Sequence, residues 1–127
     1  MAPADIPTAV RRLLLDAIDS VPELEALLLL RDTEGQRWTP DTIGARLYVS
    51  RTVATYTLDV LCRRGFLQET PEGFTYRPSS PELAETVTEL ARTYAASLVA
   101  VTQLIHAKPG PSVQDFARAF RFRSEER

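Results

Sequence analysis

Thr39 to Arg77, TPDTIGARLYVSRTVATYTLDVLCRRGFLQETPEGFTYR, is the stretch whose reading decides the fold. It opens with Thr39-Pro40-Asp41, where the Thr39 hydroxyl can accept a bond from an orphan backbone N–H and Pro40 occupies the first helical position without losing a needed donor. Leu47-Tyr48-Val49 is a break too short to let two helices separate, and Ser50 caps the next one. In that second helix Ala54, Leu58 and Leu61 recur on one face, with Val53 and Thr57 at its margin, so this side faces a core. Arg51, Thr52, Thr55, Tyr56 and Asp59 fall on the other side. Gly65 stops the helix in the left-handed conformation. Phe66 to Glu69, Thr70 to Gly73 and Phe74 to Arg77 then read as strand, turn and strand. The order is helix, turn, helix, hairpin.

That order resembles the winged-helix version of the helix-turn-helix, a broad group that includes the MarR-like and PadR-like repressors of bacteria. There, a pattern of Ser-x-x-x-Val/Ala followed by Leu-x-x-Leu-x-x-x-Gly-hydrophobic marks the recognition helix leading into the wing, and Ser50 to Leu67 is similar to it. The resemblance implies a mainly α fold: a winged helix-turn-helix with a small β-hairpin wing and flanking N- and C-terminal helices. It also implies a homodimeric regulator of transcription whose partner is double-stranded DNA. Many winged helices bind proteins instead, so a protein-interaction module that regulates by partner contact is the alternative.

A helix in the major groove reads bases with its first turns, which places Ser50, Arg51, Thr52, Thr55 and Tyr56 against DNA. Arg51 can meet a guanine edge in bidentate fashion, the threonine methyls a thymine methyl, and Tyr56 a phosphate. Arg37, Arg46, Arg63, Arg64 and Arg77 are candidate backbone contacts. Arg63 and Arg64 have a second reading, since cations in a last turn favour the helix dipole without any ligand. The wing tip carries Glu72, which argues against insertion of the wing into a groove.

Charge sets a limit on the DNA reading. The 127 residues carry a formal net charge of −2 and a sequence pI near 5.4, so the whole chain is not a polyanion binder. Location softens this: Glu23, Glu25, Asp32 and Glu34 precede the helix-turn-helix, whereas Arg37, Arg46, Arg51, Arg63 and Arg64 lie in or beside it. A modest basic stripe is therefore expected. Lys108 is the sole lysine, and the many arginines and alanines suggest a GC-rich bacterial genome.

Three segments are expected: residues 1–19, a tail and packing helix; 20–78, the winged helix-turn-helix; and 79–127, a long helix plus a short final one. Thr8 to Asp19 places Val10, Leu13, Leu14, Ala17 and Ile18 on one face. Ser20-Val21-Pro22-Glu23 is a capping-box signature opening a helix to about Arg31, buried through Leu24, Leu27, Leu28 and Leu30. Arg37-Trp38-Thr39 reads as a short strand against the wing. After Pro78-Ser79-Ser80-Pro81, no glycine or proline interrupts Leu83 to His106, so one helix could run throughout. Its stripe of Leu83, Val87, Leu90, Tyr94, Leu98, Val101 and Ile105 must be covered. We expect the cover to be both the N-terminal helix of the same chain and a second copy, the alternative being that the helix simply folds back on its own core. Beyond Lys108-Pro109-Gly110-Pro111, Phe116, Ala119, Phe120 and Phe122 alternate with Arg118, Arg121, Arg123 and Arg127, as a lid over the long helix or the partner subunit, or as a docking peptide for another protein.

Catalysis finds little support. His106 is the single histidine, at a helix end where capping or solvation is expected, and the single Cys62 reads as a small part-buried residue. No catalytic residue, cofactor or metal set is expected. One cysteine permits no intrachain disulfide, and no signal peptide or bilayer-length apolar run is visible, so a cytoplasmic protein is expected. A small-molecule effector pocket between the long helix and the core would leave no motif.

Overall fold

In the computed structural model, which describes residues 6–107, the chain runs α1 (Thr8–Ala17), α2 (Val21–Asp32), α3 (Pro40–Leu47), α4 (Arg51–Arg63), β1 (Leu67–Thr70), β2 (Gly73–Tyr76), α5 (Pro81–Ala96) and α6 (Leu98–Ala107). Among the described residues this is a mainly helical, winged-helix-like fold with one antiparallel hairpin between α4 and α5. The readings made for the Phe-Arg tail lie outside the described residues.

The helix boundaries follow from their caps. Thr39 and Thr42 form a reciprocal capping box, each side chain accepting the other's backbone N–H, at 3.2 and 2.8 Å. Ser50 accepts from the Val53 N–H at 3.1 Å and Ser80 from the Leu83 N–H at 3.1 Å. Such caps typically contribute about 1 kcal/mol each. At the start of α2, Ser20 accepts from the Glu23 N–H at 3.3 Å, but Glu23 reaches back one residue further than in a simple capping box, to the Asp19 N–H at 2.9 Å. That bond holds the chain out of helix, and α1 ends at Ala17, short of the expected Asp19.

The core draws on every helix. Val10, Leu14, Leu24, Leu27, Leu30, Ile43, Ala54, Leu58, Leu61, Phe66, Val87, Leu90 and Val101 are fully buried in one continuous cluster. In the wing, Leu67 pairs with Tyr76 and Thr70 with Gly73. The expected first strand shrinks to a single bridge, in which Trp38 exchanges backbone hydrogen bonds of 2.8 and 2.7 Å with Phe74. Gly73 makes this approach possible: at φ +135°, a Cβ there would stand 2.6 Å from the Trp38 carbonyl oxygen. No side chain fits that gap.

The expected continuous helix is corrected by a break at Ser97, whose backbone leaves the helix at φ −141°, ψ 54°. Its N–H still donates to Thr93 at 2.7 Å, while its carbonyl accepts from Val101 at 3.1 Å, so one residue ends α5 and begins α6. The reason lies in α1. Its ten residues span about 15 Å, whereas an unbroken helix from Leu83 to His106 would span about 36 Å and carry about half its apolar stripe past α1. Turning at Ser97 lets both halves pack on α1. Val87, Leu90, Val101 and Ile105 are consequently buried within their own chain, which removes them as dimer contacts. Leu83 and Tyr94 are half-buried, and Leu98 is exposed.

Candidate nucleic-acid interface

Helix α4 has two unlike sides. Ala54, Thr57, Leu58, Val60 and Leu61 face the core, and Arg51, Thr52, Val53, Thr55, Tyr56 and Asp59 face outward. Val53, expected at the margin, belongs to the exposed side, and Val60 takes the buried place beside Leu61. Packing against α2 and α3 holds the rod from behind, so the outward face is free along its first two turns. Arg51, Thr52, Thr55 and Tyr56, separated by one and three or four residues, share that face as the helical period requires. Ser50 is exposed too, but its hydroxyl is already engaged as the cap of α4.

The electrostatics of the face are more balanced than the arginines alone suggest. Arg51 Nη1 lies 3.1 and 3.3 Å from the two carboxylate oxygens of Asp41, in the first turn of α3. Both side chains are about 70% exposed, the range in which an ion pair contributes at most about 1 kcal/mol. Arg63 stands 3.8 Å from Asp59 one turn back, also in solvent. Arg37 donates to the Gly35 carbonyl at 3.0 Å, and Arg46 and Arg77 are exposed on α3 and at the foot of the wing.

Arg64 is different and leaves the set of phosphate contacts. Its guanidinium donates to the Ala17 carbonyl at 2.6 Å, to Asp19 at 2.9 Å and to Glu23 at 3.2 Å. The Glu23 carboxylate is almost wholly buried, so Arg64 neutralises an interior charge and ties the end of α4 to the α1–α2 turn. Its guanidinium is therefore engaged at the α1–α2 turn.

Two residues of this region escaped the sequence reading. Asp41 was assigned only to a helix start, yet it sets the resting position of Arg51. Tyr48 was assigned only to the break, yet it adopts the left-handed conformation at φ 60° and is 94% exposed. A bulky side chain in that conformation is uncommon, and nothing in the sequence signals it. It borders an open groove of about 500 Å³ with Leu28, Leu29, Leu47 and Tyr94, joined by the charged Glu25, Asp32 and Arg46. Burial, and after it the charge of Glu25, pushes the Tyr94 hydroxyl pKa up.

Among the described residues no three His, Cys, Asp or Glu side chains gather so as to hold a metal ion, and no helix is long and apolar enough to cross a membrane. Cys62 is half-buried, and His106 is exposed. No family model matches this sequence, and neither a curated protein nor a solved structure matches it.

Proposed function

We propose that the protein is a DNA-binding transcription regulator of the winged-helix type, related to the MarR-like and PadR-like repressors. In this reading a homodimer lays Ser50 to Tyr56 of each copy into successive major grooves of a pseudo-palindromic operator. The observation that carries it is the two-sidedness of α4. A capped helix, rigidly backed by a zero-exposure apolar face, presents Arg51, Thr52, Thr55 and Tyr56 outward from its N-terminal turns. The Arg51–Asp41 pair does not oppose this. Its exposed attraction is worth only about 0–1 kcal/mol, so releasing Arg51 from Asp41 costs little, and a bidentate guanine contact would give roughly 1–3 kcal/mol of discrimination against the wrong base.

Arg46, Arg37 and Arg77 supply backbone contacts in this scheme, with Arg63 a weaker candidate because Asp59 competes for it. The dimer contact shifts to what remains uncovered: Leu98 and Val99 at the start of α6, both more than half exposed. The protein works without catalysis, cofactor or metal, and in the cytoplasm. Selection from a randomised duplex pool at low salt tests the reading. Enrichment of a two-fold symmetric site supports it, and recovery of no sequence counts against it.

A second reading, a winged-helix module that binds another protein, has its own observation. Arg51, Arg63 and Arg64 each face a carboxylate, Glu69 and Glu72 make the wing acidic, and Tyr48, Val53 and Tyr56 expose apolar surface around the helix-turn-helix. Salt separates the two. Phosphate-driven binding weakens steeply as salt rises, whereas absence of any duplex binding at low salt favours the protein partner.

A further inference from the structure

A cleft of about 440 Å³ opens between the end of β2, the end of α2 and the first half of α5. That volume lies within the roughly 300–1,000 Å³ of small-molecule sites. The Tyr76 hydroxyl lies in it, buried, with no hydrogen-bond partner among the described residues. Beside it is Arg31, which donates to its neighbour Asp32 Oδ1 at 3.1 Å and bridges α2 to α5 by donating to Thr88 Oγ1 at 3.3 Å. These bonds use two of the guanidinium's five N–H groups. Asp32 and Glu34 line the same cleft. Burial pushes the Tyr76 hydroxyl pKa up, Arg31 pulls it back and Glu34 adds to the rise, so both charges act on that hydroxyl.

The chemistry of these walls is selective. A neutral phenol and a guanidinium both donate, and together they suit a carboxylate. Asp32 and Glu34 would repel a simple anion, and Arg31 would repel a simple cation. A molecule carrying both charges satisfies each group in turn, and it gives the orphaned hydroxyl the acceptor that buried polar groups ordinarily have.

We propose that this cleft binds a small amino-carboxylate, its carboxylate held by the Tyr76 hydroxyl and the Arg31 guanidinium and its ammonium by Asp32 and Glu34. Tyr76 is the last residue of β2 and Arg31 lies in the last turn of α2, so the occupant bridges the wing to the helical core. Binding itself does not depend on DNA recognition and is measured without DNA.

The single tryptophan supplies the readout: Trp38 bonds through its ring N–H to Thr33 Oγ1 at 2.9 Å, one residue before Glu34, and its backbone pairs with the wing. Each of the twenty common L-amino acids is titrated in turn while Trp38 fluorescence and the melting temperature are followed, with acetate and ethylammonium as single-charge controls. At least one amino acid should give a saturable response and raise the melting temperature, and the controls should give neither. Tyr76→Phe and Arg31→Gln should each weaken that response about tenfold. Tyr76→Phe keeps the ring and loses an unbonded hydroxyl, so it folds; Arg31→Gln gives a second, independent variant. Three results overturn the proposal. They are no saturable response to any amino acid up to about ten millimolar, a response to acetate or ethylammonium equal to that of the amino acid, or affinity unchanged by both substitutions.

Discussion

Arg64, at the C-terminus of α4, holds Glu23, in the first turn of α2, across 3.2 Å and 41 positions of sequence. Glu23 is 2% exposed and also accepts the Asp19 N–H, so one buried carboxylate fixes the α1–α2 turn and the end of the candidate recognition helix together. The orientation of α4 thus depends on a charge pair in the interior as well as on apolar packing.

Arg64→Ala removes the guanidinium paired with that buried carboxylate, and breaking such a pair costs about 3 kcal/mol or more. Arg63→Ala, whose partner Asp59 is in solvent, should change stability by less than about 1 kcal/mol. Guanidinium denaturation of both variants checks this. Equal, small losses would mean that Arg64 is a surface residue after all.

Tyr76→Phe removes a buried hydroxyl that bonds nothing in the described chain. Stability should stay level or rise by about 1 kcal/mol, because an unsatisfied polar group is lost and the ring is kept. The pH profile follows from the direction of the shift. A hydroxyl whose pKa is raised from 10.0 on folding stabilises the native state fully below that value, and the contribution is lost as pH climbs through the folded pKa. Wild type should therefore lose stability above about pH 10 more steeply than Tyr76→Phe, as urea midpoints at pH 8 and 11 would report.

Gly73→Ala meets two obstacles at once, a φ of +135° and a Trp38 carbonyl oxygen 2.6 Å from the new Cβ. The Trp38–Phe74 bridge should open, with a loss of about 1–3 kcal/mol and a shift in Trp38 emission. An unaltered emission maximum and unaltered stability would show that the wing is not seated on Trp38.

Leu98→Asp and Leu90→Asp separate dimerisation from folding. Leu98 is 52% exposed and Leu90 not at all. Sedimentation should find Leu98→Asp folded and monomeric, whereas Leu90→Asp buries an unpaired charge and should not fold. A dimer that survives Leu98→Asp would place the contact elsewhere.

The capped helices, the Gly65 stop and the hairpin were legible because each rests on local chemistry: a hydroxyl before a helix, a glycine after it, alternating residues around a turn. The break at Ser97 was not, since Ala95-Ala96-Ser97 carries no proline or glycine and the packing of both halves on α1 is a tertiary fact. The same holds for the site. The outward face of α4 was readable from its period, apart from Val53. The partners of Arg51 and Arg64 were not, because Asp41 and Glu23 meet them only through the fold and each had a sufficient local role as a helix-start acid. Tyr48 was hidden by its position, a bulky residue in a turn where the sequence marks only a break.

The most direct test of the central claim is fluorescence anisotropy of the selected duplex, at one fixed salt concentration, with wild type and the Arg51→Ala/Thr55→Ala double variant. Neither side chain supports the core, so the variant should fold normally while its affinity for that duplex falls tenfold or more, toward its affinity for random sequence. Unchanged affinity and unchanged preference for the selected sequence would contradict the assignment of α4 as the helix that reads DNA.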